Sequence, residues 1–305
     1  MLRLDSFTDA RISLAEFHGT ERIPKRLPGG RMAAKKTTGI IPTMIKYGQS
    51  ISAVRALPKA KGKRPAVIIL HERYGIDQHT KDLTVRLAQA GFVGLAPDLF
   101  HRFSGDRKTV LSGAQRVDLS DDGALEDLNG AVGYLKKLKA VDAERIGIIG
   151  VCQTGRQPLL LAAKRSDIAG AVVLYGAIGG REWQGSNLRP TAIEELIAQV
   201  TCPVLGIFGE ADHIISIDDV VRFRNCLEKG KKSCHVRIYR DAPHGWLNDT
   251  MPGRYRRPQA EAAWTDQRAF LQQAFAPGAD RSTRLQHYTA DIAAEYDFSR
   301  NVRYE

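Results

Sequence analysis

Cys152 closes an apolar run, Arg145-Ile-Gly-Ile-Ile-Gly-Val-Cys-Gln-Thr-Gly155, and a helix-like stretch over residues 156–165 follows at once. Strand, sharp glycine turn and helix, with a nucleophile at the turn, lift that side chain clear of a sheet. The next backbone N–H then shares the same space. Asp212 stands in Gly209-Glu210-Ala211-Asp212-His213, just past a strand-like stretch over 203–209. His244 stands in Ala242-Pro243-His244-Gly245-Trp246, just past another over 235–239. These three residue types suit attack on an acyl group. A thiol near its ordinary pKa is mostly protonated at neutral pH and needs a base. An imidazole can take that proton and later hand it to the leaving group, and a carboxylate holds the ring in one tautomer.

A fourth residue belongs with them. The most strand-like run of the chain, residues 65–70, ends in His71-Glu72-Arg73-Tyr74-Gly75. Nucleophile, acid and histidine in that chain order are typical of α/β-hydrolases, in which the loop after the third strand supplies a second oxyanion donor. Each candidate also lies past the C-terminal end of a predicted strand, where open α/β sheets place their sites. Taken together, His-Glu after this strand, a Cys elbow, Gly-x-x-Asp and His-Gly-Trp resemble the dienelactone hydrolases (carboxymethylenebutenolidases), over residues 44–275.

The resemblance implies an α/β-hydrolase fold and a role for each position. Cys152 matches the nucleophile, Asp212 the acid and His244 the base. Glu72 matches a carboxylate that contacts the resting thiol until substrate displaces it. The backbone N–H groups of Arg73 and Gln153 match the oxyanion hole. Arg102 matches an arginine that binds the substrate carboxylate, and Tyr74 and Trp246 are expected to face the substrate. Two positions depart from the pattern. Thr154 stands where a Gly is usual two residues after the nucleophile, and Asn248 where a second carboxylate-binding Arg is usual. Arg254, Arg256 and Arg257 in the next loop are the replacements within reach.

Plainer readings exist for each residue. A Cys after an apolar strand is most often a small buried hydrophobe, but here the glycines and partners surround it. Asp212 could cap the helix predicted after Ser216, although Ser216 or Asp218 fits that cap better. His244 could be a loop residue, Glu72 a buried ion-pair partner, and Arg102 a solvated loop arginine. His71, Glu72, Asp212 and His213 could in principle form a metal cluster, but acyl transfer already uses the carboxylates.

The elements that must hold these residues alternate strand and helix, as a mostly parallel sheet covered on both faces requires. Strands are expected over 44–47, 51–57, 66–70, 92–96, 171–174 and the stretches named above. Helices are expected over 81–90, 122–138, 156–165, 191–199, 216–228 and 259–275. In 122–138, Leu125, Leu128, Val132 and Leu135 recur at three- or four-residue spacing, so one face is buried. Acids open that helix and lysines close it, which suits its dipole.

The net charge of +11 lies almost wholly in residues 1–64, with 14 Lys/Arg against 4 Asp/Glu. The predicted body is therefore near neutral, and the basic excess reads as an arm. It lacks the motif context of a nucleic-acid surface. The chain divides into a basic extension over 1–43, a catalytic body over 44–276 and a C-terminal extension over 277–305. Tyr288, Ile292, Tyr296 and Phe298 could give that last segment an apolar face, against its own body or in a homodimer. No stretch reads as a secretory signal or a membrane span. The four cysteines, Cys152, Cys202, Cys226 and Cys234, show no metal spacing. Free thiols suit a reducing compartment. The expectation is a cytoplasmic hydrolase that needs no cofactor and opens a lactone or a small ester through a thioester. A general carboxylesterase or lactonase is the alternative, and a non-catalytic binding protein a more distant one.

Overall fold

The structure is a computed structural model that describes residues 39–280 and 284–292. Its strands are β1 (Thr43–Tyr47), β2 (Ile51–Ala56), β3 (Arg64–Ile69), β4 (Val93–Pro97), β5 (Val141–Val151), β6 (Gly170–Leu174), β7 (Val204–Gly209), β8 (Cys234–Tyr239) and β9 (Gln286–Ala290). They form one sheet in the order β1-β2-β4-β3-β5-β6-β7-β8-β9. β1 and β2 are antiparallel to their neighbours and every later pairing is parallel. Parallel strands need crossovers. Helices α1 (Gln78–Gln89), α2 (Arg107–Leu111), α3 (Asp121–Lys137), α4 (Arg156–Lys164), α5 (Ile193–Gln199), α6 (Ile217–Lys229) and α7 (Arg257–Ala274) lie in the connections.

A sheet covered on both faces should read as near-continuous apolar strands rather than alternating ones. β4, β6 and β7 are buried at every residue. Ile68 and Ile148 face a core shared with Leu128, Leu135, Leu159, Ile197 and Phe223 of α3 to α6. Their neighbours Ile69 and Ile149 face the opposite core, which α1 and α7 close with Leu87, Ala263, Trp264 and Leu271. Helix starts follow the chain's own caps. Asp77 caps α1 and Ser120 caps α3. Ser216 and Asp219 form a reciprocal box at α6, so Asp212 is not its cap.

Strand order reverses at β3, whose neighbours are β4 on one side and β5 on the other. That reversal opens a crevice beyond the C-terminal ends of β3 and β5, the usual binding position in such sheets. Glu72 follows β3 and Cys152 follows β5.

The described part of the C-terminal extension pairs with its own body. Its residues 286–290 run parallel to β8 as an added edge strand, paired Cys234 to Gln286 through Ile238 to Ala290. Tyr288 and Ile292 are exposed there, while Tyr296, Phe298 and most of the basic 1–43 segment lie outside the described residues. Among the described residues no helix is long and apolar enough to cross a membrane.

Candidate active site

β5 ends at Val151, and the chain turns at once through a 3-10 turn, Cys152–Thr154, into α4. Cys152 itself holds φ 54°, the left-handed region that costs a side-chain-bearing residue energy. Packing around the turn enforces that conformation. A Cβ on Gly150 would lie 2.2 Å from the Thr154 carbonyl oxygen, and one on Gly176 would lie 1.9 Å from that of Cys152. Both positions therefore need glycine for close backbone approach. The strained turn is held from below by β5 and from the side by the loop after β6.

The Cys152 Sγ is 3.0 Å from Nε2 of His244. Nδ1 of His244 is 2.9 Å from Oδ2 of Asp212. The other Asp212 oxygen accepts the backbone N–H groups of Ile214 (2.8 Å) and Ile215 (3.0 Å), so the carboxylate cannot swing. Burial alone would pull the His244 pKa down. The Asp212 charge, the Cys152 sulfur and the hydrogen bonds to both outweigh it and set the value well above 6.5. A buried imidazole that basic is equipped to take a thiol proton.

The raised value makes a prediction about pH. A group whose pKa rises on folding stabilises the fold fully below its unfolded value, and the contribution fades as pH climbs through the folded value. In Asp212→Asn this contribution shrinks. The melting-temperature gap between parent and variant should be widest between pH ~5 and ~6.5, below the unfolded histidine value. It should narrow as pH rises into the alkaline range. A gap independent of pH would show that Asp212 does not raise the His244 value.

Glu72 is buried beside these groups. It accepts the Tyr175 hydroxyl at 2.8 Å on one oxygen and the Asn248 amide at 2.9 Å on the other. Burial, then the Glu72 charge and hydrogen bond, push the Tyr175 pKa well above 10, so the phenol stays a donor. The cavity over the cluster has a volume of about 370 Å³. Glu72, Arg73, Tyr74, Gln153, Cys152 and His244 all line it. Among the described residues, neither the Arg73 nor the Gln153 amide is spent on a turn or loop hydrogen bond to a carbonyl.

The rim of this cavity is basic. Arg116, Arg181 and Arg254 line it together with Arg73. The Arg254 guanidinium lies beside the histidine turn, since a Cβ on Gly245 would sit 3.7 Å from one of its Nη atoms. Arg256 does not line the cavity and donates to the carbonyls of Gly253, Arg254 and Tyr255.

Residues 51–275 match the model of the dienelactone hydrolase family. The chain belongs to the dienelactone hydrolase family. A Methylorubrum extorquens protein named "Putative carboxymethylenebutenolidase" is 32% identical over 70% of this chain and 74% of its own. A Bradyrhizobium protein named "Probable 2-oxo-3-(5-oxofuran-2-ylidene)propanoate lactonase" is 33% identical over 73% of this chain and 90% of its own. Among solved structures, the "Putative Dienelactone Hydrolase" of Klebsiella pneumoniae superposes with a TM-score of 0.69 at 29% identity, covering 77% of this chain and 99% of that one. The fold is that of the α/β-hydrolases, and the chain is a hydrolase of the dienelactone type.

Within this dienelactone hydrolase, three expected positions differ from the resemblance. Arg102 does not reach the cleft. It pairs with Asp127 at 2.6 Å and Glu126 at 2.7 Å on α3, and lines a separate cavity with Leu99, Phe103 and Leu119. The acids of α3 capture it, and they hold its pKa up. Trp246 is fully buried beneath the site, against Tyr175 and Tyr239, and does not line the cavity. Glu72 is held by Tyr175 and Asn248 rather than by the thiol, which faces His244. Asn248 is thus neither a clamp nor a gap, but a ligand of Glu72. Tyr175, a further residue of the site, stands just past β6, a strand end like those that carry the other site residues.

Proposed function

We propose that this enzyme opens a carboxylate-bearing lactone through a covalent thioester on Cys152. The observation that carries the reading is the line from Sγ of Cys152 through His244 to the doubly anchored Asp212. Sγ attacks the lactone carbonyl carbon, its proton passes to Nε2 of His244, and the carbonyl electron pair moves to oxygen. The N–H groups of Arg73 and Gln153 donate to that oxyanion. As it collapses, the ring C–O bond breaks and His244 returns the proton to the leaving oxygen. The leaving group stays attached, because a lactone carries both parts in one molecule. Water then gives a proton to His244 and attacks the thioester, and Sγ leaves and recovers its proton. An enol leaving oxygen suits this sequence, since its weak basicity favours departure.

Charge supports the substrate class. The cleft is lined by Arg73, Arg116, Arg181 and Arg254 beside Glu72 and Glu182, with Arg116 paired to Asp118 and Arg181 to Glu182, and the substrate in the Bradyrhizobium relative's name is a lactone bearing a propanoate. Of the loop arginines, Arg254 lies on the cavity beside the histidine turn, so it takes the clamp role that Arg102 leaves vacant. Acid quenching during turnover, followed by mass spectrometry, should find the acyl group on the peptide containing Cys152. An unmodified peptide at every quench time overturns the thioester.

A substrate comparison tests the clamp. Hydrogen bonds to a charged group contribute about 1.5–3 kcal/mol, so Arg254→Ala should raise KM for a carboxylated lactone roughly ten- to hundredfold. A neutral ester of similar size should be nearly unaffected. Arg102→Ala should change neither value. Equal losses on both substrates in Arg254→Ala would assign that arginine to the loop structure instead.

A further inference from the structure

Thr154 and His71 are both fully buried, and they connect the two loops that carry the oxyanion donors. The Thr154 hydroxyl accepts the Val151 N–H at 3.0 Å. Its single proton is shared between the carbonyls of His71 and Val151, each at 3.0 Å. One hydroxyl therefore ties the elbow after β5 to the loop after β3. A glycine at 154, the residue the family resemblance leads one to expect, could not make this tie.

His71 continues the connection. Its Nε2 accepts the Leu99 N–H at 3.1 Å, so the ring proton sits on Nδ1. Nδ1 then donates to the Glu72 carbonyl at 2.7 Å. Burial pushes the His71 pKa down and keeps the ring neutral. The Glu72 carbonyl and the Arg73 N–H are the two ends of one peptide group. A donor on that carbonyl fixes the plane of the peptide and polarises its N–H, since chained hydrogen bonds strengthen one another. The Gly75 N–H meets the same carbonyl at 3.3 Å. The second oxyanion amide, that of Gln153, shares its peptide with the Cys152 carbonyl, which accepts the Gly155 N–H at 3.1 Å. The separation of the two amides thus depends on the Thr154 bridge, and the aim of the first depends on His71.

We propose that Thr154 and His71 are positioning residues of the oxyanion hole, the first fixing the spacing of the Arg73 and Gln153 amides and the second aiming the Arg73 amide. This rests on acyl transfer by Cys152. Losing a whole oxyanion donor costs ~10²–10³ in kcat, and displacing both a little costs less.

The test uses the full chain with Thr154→Val, which keeps the shape and removes the hydroxyl, and Thr154→Ser, which keeps the hydroxyl. Thr154→Val should lower kcat roughly ten- to hundredfold with KM within about a factor of two, given that misplacement of about 1 Å can cost ~10². Thr154→Ser should restore most of the loss. Alkylation of Cys152 by iodoacetamide provides the contrast. There Sγ bonds to carbon and iodide departs, and no oxyanion forms, so the rate constant should be unchanged in both variants. A kcat unchanged in Thr154→Val overturns the proposal. Parallel losses of turnover and alkylation overturn it too, because the defect would then lie in the Cys152–His244 pair. If Thr154→Val does not fold, Thr154→Gly carries the same expectation. Alkylation that leaves the parent enzyme active removes the nucleophile itself, and the proposal with it. That outcome is told apart because it arises without any Thr154 variant.

Discussion

Cys152→Ala should abolish lactone hydrolysis, with kcat reduced ~10⁴-fold or more, as for single removals from other nucleophile–base pairs. The fold should survive. Position 152 is strained for any side chain at φ 54°, and Ala adds no bulk to the tight contacts around Gly150 and Gly176. The loss should therefore appear in turnover and not in the melting temperature. Labelling offers an independent measure. Cys202 and Cys234 are buried, and burial pushes the Cys234 thiol up to about 11 and raises Cys226. Cys152 faces an open cavity and a basic imidazole, so sub-stoichiometric iodoacetamide near neutral pH should mark it first and extinguish activity in proportion. Labelling spread evenly over the four cysteines, or activity surviving full Cys152 modification, would remove the thiolate from the mechanism.

Asp121→Ala should cost about 3–5 kcal/mol of folding stability, the range for breaking a buried ion pair from one side. Arg156, the first residue of α4 after the elbow, is entirely buried. Its guanidinium meets the Asp121 carboxylate through two donors, at 2.8 and 2.7 Å. Glu182 lies 3.5 Å from the same group and also pairs with Arg189. Removing Asp121 strands a charge that cannot reach water. Urea denaturation should show the midpoint falling with little change in slope. A loss under 1 kcal/mol would mean that Glu182 and the Thr191 carbonyl, which also accepts from Arg156, suffice for the guanidinium.

What the sequence revealed and what it withheld divide on physical lines. Cys152, Asp212 and His244 were legible because each follows an apolar strand, and parallel strands deliver their C-terminal ends to one edge. The fold was legible for the same reason, since strands buried on both faces leave unbroken apolar runs. Arg102 was misplaced because a long side chain goes where charge takes it. The acids that hold it, Glu126 and Asp127, stand 24 and 25 residues further along the chain on α3, and no spacing within its own loop records them. Trp246 follows the histidine in the chain, yet the turn at Gly245 directs it into the core. Tyr175 lies one residue past the strand expected over 171–174, and a tyrosine after an apolar run reads as apolar until its hydroxyl finds a partner. β9 had no alternation to betray it. Its residues, Gln286-His287-Tyr288-Thr289-Ala290, are exposed throughout, and beyond backbone pairing they make surface contacts such as His287 beside His235 and Tyr288 beneath Arg224.

That last strand has a bearing on how the protein can be handled. The family match stops at residue 275, and β9 begins at Gln286. Shortening the chain to the matched segment would look harmless, because no catalytic side chain is lost. It would, however, strip the cover from β8, whose backbone from Cys234 to Ile238 now bonds to β9. A bare strand edge is a template for pairing with another molecule. The edge would pass from the short, fully exposed β9 to the more apolar β8, where Cys234, Val236, Ile238 and Tyr239 are buried, so the shortened enzyme should keep its chemistry while self-associating more readily.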